Sequence, residues 1–174
     1  MNDDWKLEFQ KIWDRGVLAW KEGRQSAHKM FSKEDAAFLA SIGCTTQELF
    51  DFVDDSLNYG DLDYETALAV TEIRRRYFLE VMHGKPTGRV VPMSTLPAKS
   101  AQVDGIAWLP RLIAKARIKL RGEMEPDLMY GCGGDRPFLR EHNLTLPDFL
   151  QLVWDKGDDD RAIVEAVKKA AHKS

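Results

Sequence analysis

The chain has 174 residues, 44% hydrophobic and 30% charged, with a formal net charge of −3. This composition is typical of a folded globular protein, and the negative charge disfavours a general nucleic-acid binder, which gains affinity by neutralising phosphates. No apolar stretch approaches the roughly 20 residues needed to cross a bilayer, and the N-terminus lacks the pattern of a signal peptide. Two cysteines are too few for a disulfide framework. We therefore expect a cytoplasmic protein with no membrane or nucleic-acid partner.

The first half of the chain has the spacing of apolar residues that predicts helices. A long helix is expected over residues 5–22, capped by Asp3 or Asp4. Ser32 and Thr45 are each followed three residues later by an acidic residue, the pattern of a capping box at a helix start. A fourth helix is predicted over residues 63–82.

Arg74 interrupts the apolar arc of that fourth helix. An unpaired charge among apolar neighbours is costly, so the guanidinium needs a carboxylate, an anion or a route to solvent. The sequence leaves two interpretations open: a structural arginine, paired or reaching solvent, and an arginine that binds a ligand.

Residues 84–105 lack helical spacing and contain three of the seven prolines. A segment of this length without regular structure is either a linker or a functional loop. Helical spacing resumes at Ile106, and Gly122 is placed to end that helix. A glycine-rich turn over residues 129–138 and three further helices complete the chain.

The two halves match at an offset of about 100 residues. Thr45 aligns with Thr145 as a helix cap, and the helix stop Gly43 aligns with Asn143. Caps, stops and apolar positions recur together, which indicates a duplication. The predicted fold is all-α, with two tandem pseudo-symmetric repeats of about four helices each, over residues 1–83 and 106–174, joined by the Pro- and Gly-containing linker 84–105.

The offset also separates shared features from features of one half only. Asp35 aligns with Asp135, so Asp135 has an explanation as a helix-start residue, whereas Ser32 aligns with Cys132. The residues without an evident counterpart are the candidates for function: Cys132, Arg136 and the basic flank Arg111, Lys115 and Lys119.

A glycine-rich turn before a helix can hold an anion with its backbone N–H groups, although a tight turn without a ligand has the same composition. The basic flank is either an ordinary solvated helix face or a site for phosphate or carboxylate. The residues that would bind such a ligand are Arg111, Lys115, Tyr130, Asp135 and Arg136, with Arg74 as a further candidate.

Cys132 lies near a predicted helix start and close to Arg136, an environment that can lower a thiol pKa. A nucleophilic cysteine usually has a positioned base, and no histidine is linked to Cys132 by a known motif. His142 aligns with Ile42, which favours a partly buried structural histidine. No pattern of metal ligands is present, so we predict neither a metal nor a cofactor.

The second half contains Leu109-Pro110-Arg111, Lys115-Ala116-Arg117 and the cysteine-containing turn 130–138. With these motifs it resembles a bacterial family catalogued as domain of unknown function 5069. The segment 97–100 and the first half also resemble the longer members of that group. The resemblance implies a small helical bacterial protein, and it implies no activity, cofactor or catalytic residue.

Three functional hypotheses remain after this reading. The first is a helical module that binds a small anionic ligand or an acidic segment of a partner protein. The second is an enzyme or redox protein that uses Cys132 as a reactive thiol. The third is a purely structural helical protein that forms a homodimer or another oligomer.

Overall fold

A computed structural model describes residues 4–173, and the chain divides into two compact units, Met1–Pro86 and Thr87–Ser174. The predicted all-α class is confirmed, because the regular secondary structure of the described residues is α-helical apart from one short hairpin and one 3-10 turn. None of the helices in this part of the chain combines the length and apolar character required to traverse a lipid bilayer. The proposed cap Asp3 lies outside the described residues, and Asp4 is the first residue of the first helix.

In the described part of the first unit, from residue 4 onward, the chain forms five helices. They are α1 (Asp4–Lys21), α2 (Ala27–Met30), α3 (Lys33–Ser41), α4 (Thr46–Tyr59) and α5 (Tyr64–Glu80). Helix α4 contacts the other four, and the apolar face of α1 packs against it. Phe9, Ile12, Leu49 and Phe52 are buried in this core. The short helix α2 has no counterpart in the sequence prediction, because four residues are too few to show a periodicity.

The helix starts in this unit follow the predicted caps. Ser32 and Thr45 both form complete capping boxes, with Asp35 and Glu48 respectively. Gly43 has a φ of +77°, and a Cβ there would lie 2.8 Å from the Phe78 side chain. Both the backbone conformation and the close packing therefore require glycine at this turn.

The second unit begins with extended chain and a hairpin and continues with four helices. Its elements are the 3-10 turn Met93–Thr95, β1 (Gln102–Val103), β2 (Ile106–Ala107), α6 (Leu109–Arg121), α7 (Asp135–Glu141), α8 (Leu146–Lys156) and α9 (Asp160–Ala171). Helix α8 contacts α6, α7 and α9. Thr145 forms the predicted capping box with Asp148, and Asp159 caps α9.

The hairpin corrects one detail of the sequence reading. Ile106, taken as the point where helical spacing resumes, lies in β2, and α6 begins only at Leu109. Asp104 and Gly105 have φ values of +51° and +78° between the antiparallel strands. An Asp-Gly pair with two positive φ angles is the sequence signal of a tight hairpin turn.

The segment 84–105 is divided between the two units, since residues from Thr87 onward belong to the second. Val91 donates its N–H to the carbonyl of Glu123, and Leu96 packs with Ile118 and Leu128. The side chain of Glu123 is almost fully buried and accepts from Arg89 at 3.0 Å and from Arg121 at 2.9 Å. These contacts attach the proline-containing segment to the end of α6.

Candidate functional site

The glycine-rich turn is attached firmly to the rest of the second unit. Gly131 has a φ of +91°, and a Cβ at this position would lie 2.8 Å from the Leu146 side chain. The Tyr130 hydroxyl, which is buried, donates to the backbone carbonyl of Leu146 at 2.7 Å. Tyr130, a predicted ligand residue, thus has a structural bond to the start of α8, and burial is the main cause that raises its pKa well above the ordinary range.

Asp135 is the centre of this region and has no exposed surface. Its Oδ1 accepts from Trp108 Nε1 at 2.9 Å. Its Oδ2 accepts from Lys115 Nζ at 2.8 Å and from the backbone N–H groups of Gly131 and Cys132 at 2.9 and 3.3 Å. Both oxygens of this buried carboxylate therefore have hydrogen-bond donors, and its charge has a cationic partner.

Trp108 is the member of this network that the sequence reading missed. Its φ of +73° is unusual for a residue with a side chain, and the residue directly precedes α6. A Cβ on Gly134 would lie only 2.4 Å from the Trp108 ring. The absence of a side chain at Gly134 therefore lets the indole reach Asp135. In the sequence, the glycine before Asp135 was the feature that could have indicated a bulky side chain packed against the turn.

Lys115 differs from the sequence expectation of a solvated or anion-binding flank. It is 2% exposed, and besides Asp135 its ammonium approaches Cys132 Sγ at 3.4 Å. Lys119, on the same flank, is also buried. The flank is therefore not an exposed charged face, because both of its lysines are buried.

The other candidate residues of the second unit, Arg111 and Arg136, donate hydrogen bonds to backbone carbonyls in two different segments. Arg111 donates from Nη1 to the Pro97 carbonyl at 2.9 Å. Arg136 is buried and donates from Nη1 to the Gly131 carbonyl at 2.6 Å, which connects it to the turn. The structure thus brings Lys115, Cys132 and Asp135 into direct contact, with Arg136 beside them, whereas Arg111 holds the extended segment.

Arg74 lies in the first unit, in α5, and is 3% exposed. Its guanidinium stacks on Phe78 at 5.2 Å and approaches Met82 Sδ at 3.7 Å, while its Nε has no hydrogen-bond partner. Among residues 4–173 it forms no direct ion pair, and Glu48 acts on it only through longer-range attraction. Burial, the largest influence, lowers its pKa from the ordinary value.

The first unit contains a related ion pair that the sequence comparison overlooked. Arg15 Nη2 lies 2.5 Å from Asp35 Oδ1, at positions 100 residues before Lys115 and Asp135. The interpretation that Lys115 has no counterpart was therefore wrong. The pairs differ in burial, since the side chain of Arg15 is 48% exposed and that of Lys115 is 3% exposed.

The residue that precedes each acidic residue by three positions behaves differently in the two units. Ser32 Oγ accepts from the Asp35 N–H at 3.0 Å and caps α3. Asp135 N donates instead to the Cys132 carbonyl at 3.0 Å. The Cys132 sulfur has no capping role, and it contacts the Lys115 ammonium instead.

Other titratable residues add little to this site. His142 Nδ1 donates to the Phe138 carbonyl at 2.7 Å, and Cys44 is buried with its thiol directed at the Thr45 carbonyl. Within residues 4–173, no cluster of three or more His, Cys, Asp or Glu side chains is arranged to hold a metal ion. The polar network around Asp135 is thus the site that the second unit offers.

Comparison with known families gives one match. Residues 94–174 match the model of the family described as Domain of unknown function (DUF5069). The predicted resemblance is confirmed over this region, which contains the whole Asp135 network, whereas Arg74 and the first unit lie outside it. No curated protein and no solved structure matches the chain.

The DUF5069 region includes the hairpin, the four helices of the second unit and the turn with Cys132. The description of the family assigns no activity to it. The contacts of the site itself are therefore the basis for its function.

Proposed function

We propose that the protein carries a reactive thiol at Cys132, whose thiolate is stabilised by the buried ammonium of Lys115. The observation that carries this proposal is the 3.4 Å separation of Lys115 Nζ and Cys132 Sγ. A neighbouring cation lowers the pKa of a thiol because it favours the charged form. The thiolate is the nucleophilic form of cysteine.

Lys115 is held in place for this role. One of its three N–H groups is directed to Asp135, whose two oxygens also accept from Trp108 and from two backbone N–H groups. Because an ammonium has three N–H donors and Asp135 accepts from one, a donor remains for the Cys132 sulfur. The Lys115–Asp135 pair positions this donor, and it moves no proton.

Access to the thiol also supports the proposal. Cys132 is partly exposed between Gly131 and Gly133, whereas Cys44 in the first unit is buried. Small neighbours leave room for an electrophile to approach the sulfur. A peroxide is a suitable reactant: the thiolate attacks one oxygen, the O–O bond breaks, and a sulfenic acid and hydroxide are formed.

The binding hypothesis has less support from the geometry. Arg111 bonds to the Pro97 carbonyl, Lys115 to Asp135 and Arg136 to the Gly131 carbonyl. These basic groups already have acceptors inside the second unit. A small anion or an acidic protein segment would have to compete with those acceptors for them.

The test is the rate of alkylation of each cysteine by iodoacetamide at neutral pH, measured by peptide mass spectrometry on the folded protein. We expect Cys132 to react much faster than Cys44, and faster than Cys132 in the unfolded chain, because the Lys115 ammonium lies beside its sulfur. Lys115→Met should slow the alkylation of Cys132, and Lys156→Met, a change of an exposed lysine on α8, should leave it unchanged.

The wild-type alkylation rates decide the proposal even where Lys115→Met folds poorly. A Cys132 that reacts no faster in the folded protein than in the unfolded chain, or that is as protected as Cys44, would overturn it. That outcome would leave the Asp135 network with a structural role only.

A further inference from the structure

The first unit contains an open cavity of about 630 Å³ between α1, α3 and α5. Its apolar lining residues are Trp5, Leu7, Phe38, Ile42 and Leu79. Trp5 and Ile42 are buried, whereas Leu7 and Leu79 are 66% and 41% exposed. Exposed leucines beside a concave apolar surface are typical of a binding site, and the volume is in the range of small-molecule pockets.

Arg75 gives this cavity a polar end. Its guanidinium stacks on Trp5 at 5.0 Å, and its buried Nε has no hydrogen-bond partner. It forms no ion pair with any residue in the range 4–173. The cation is therefore fixed in position by the indole and has donors to spare.

The acidic residues at the cavity, Glu8 and Asp4, have favourable electrostatic partners of their own. Glu8 accepts from Lys11 at 3.2 Å and from Arg15 at 3.4 Å, so its charge is compensated. Asp4 is exposed and is the first residue of α1, where the helix dipole favours a negative charge. Among the described residues that line the cavity, Arg75 is thus the cation without an ion pair, and Asp4 is the group that opposes an incoming anion.

We infer that this cavity binds a small carboxylate with an apolar body, such as a medium-chain fatty acid. The carboxylate would accept from Arg75 beside the Trp5 ring, and the chain would lie on Phe38, Ile42 and Leu79. Arginine suits this role because its planar donors match the two oxygens of a carboxylate. The inference is independent of the reactive thiol, since all the residues involved belong to the first unit.

The experiment is a titration of the full-length protein with octanoate, followed by the indole N–H resonances in NMR spectra. The Trp5 signal, assigned with Trp5→Phe, should shift on saturation. The signal of Trp154, which lies on α8 in the second unit, should not shift. Octylamine, with the same apolar chain and the opposite charge, should bind at least tenfold more weakly.

Two variants and one control test the role of charge. Arg75→Gln should weaken octanoate binding about tenfold or more, which is typical of losing a charged hydrogen-bond partner. Arg76→Gln is the matched control, because Arg76 is on the same helix and pairs with Glu80. Asp4→Asn should strengthen binding two- to fivefold.

Three results would overturn the inference. The first is the absence of a Trp5 shift at millimolar octanoate, and the second is equal affinity for octanoate and octylamine. The third is an Arg75→Gln variant that binds octanoate as tightly as Arg76→Gln.

Discussion

Lys115 and Asp135 form an ion pair that is almost completely excluded from solvent, with Nζ 2.8 Å from Oδ2. The two residues join the middle of α6 to the first residue of α7. The same pairing of a basic residue with an acidic residue 20 positions later occurs between Arg15 and Asp35. We propose that the two pairs descend from a duplicated unit, with the pair in the second unit buried and directed to a thiol.

Removing the cation from this pair should lower the stability of the fold. In Lys115→Met the Asp135 carboxylate remains buried without its main charge partner, so we expect the free energy of unfolding to fall by about 3–5 kcal/mol. The double variant Lys115→Met/Asp135→Asn should recover part of this loss. Urea unfolding monitored by circular dichroism measures both, and a single variant as stable as wild type would contradict the network described above.

Gly134 and Gly133 provide a matched pair of substitutions in the turn. A Cβ on Gly134 would meet the Trp108 ring, whereas a Cβ on Gly133 would have no heavy atom within 4 Å. Gly134→Ala should therefore lower stability by about 1–3 kcal/mol, the usual cost of overpacking. Gly133→Ala should change it little. Equal thermal shifts for the two variants would show that Trp108 does not pack against Gly134.

The buried charge of Arg74 should lower the stability of the first unit. Its buried guanidinium has an unpaired Nε and no direct ion pair among the described residues, so a methionine of similar length should pack at lower desolvation cost. We expect Arg74→Met to raise the free energy of unfolding by about 1–2 kcal/mol. Arg76→Met, on the exposed side, is the control. A loss of stability in Arg74→Met alone would mean that the charge is stabilised by an anion or by Glu48.

The Arg15–Asp35 pair should make stability depend on acidity. Burial alone would raise the pKa of Asp35, but hydrogen bonds from Arg15 and Ser32 and the charge of Arg15 outweigh it and lower the pKa. A lowered folded-state pKa contributes stability above the unfolded value of about 3.9, and this contribution is lost as the pH falls toward the folded value.

Asp35→Asn should therefore be less stable than wild type at pH 7 and lose less stability between about pH 4 and pH 2. The measurement is a series of urea midpoints over this range. Glu34→Gln, an exposed neighbour in α3, is the control. Parallel pH profiles for wild type and Asp35→Asn would exclude this contribution.

The second unit should fold without the first. Residues 87–174 include the extended segment that packs on α6 and all the contacts of the Asp135 network. A fragment with this start should show helical circular dichroism and one cooperative thermal transition, as expected of a domain with its own core. A fragment starting at residue 106 should be less stable, because Glu123 would lose Arg89 and Ile118 would lose Leu96. A non-cooperative 87–174 fragment would contradict this division.

The sequence by itself determined the helical class, most helix starts and the turns that end the helices. These features depend on local chemistry: Thr45 and Thr145 cap their helices through residues three positions away, and Gly43 turns the chain because of its own backbone freedom.

Only the tertiary structure decided which polar residues are buried and what they contact. Helical spacing placed Lys115 on a flank of α6, but its burial depends on Cys132 and Asp135, which contact it from a later part of the chain. Trp108 reaches Asp135 only because Gly134 has no side chain. The guanidinium of Arg75 stacks on Trp5, a contact between residues far apart in sequence that no local pattern encodes.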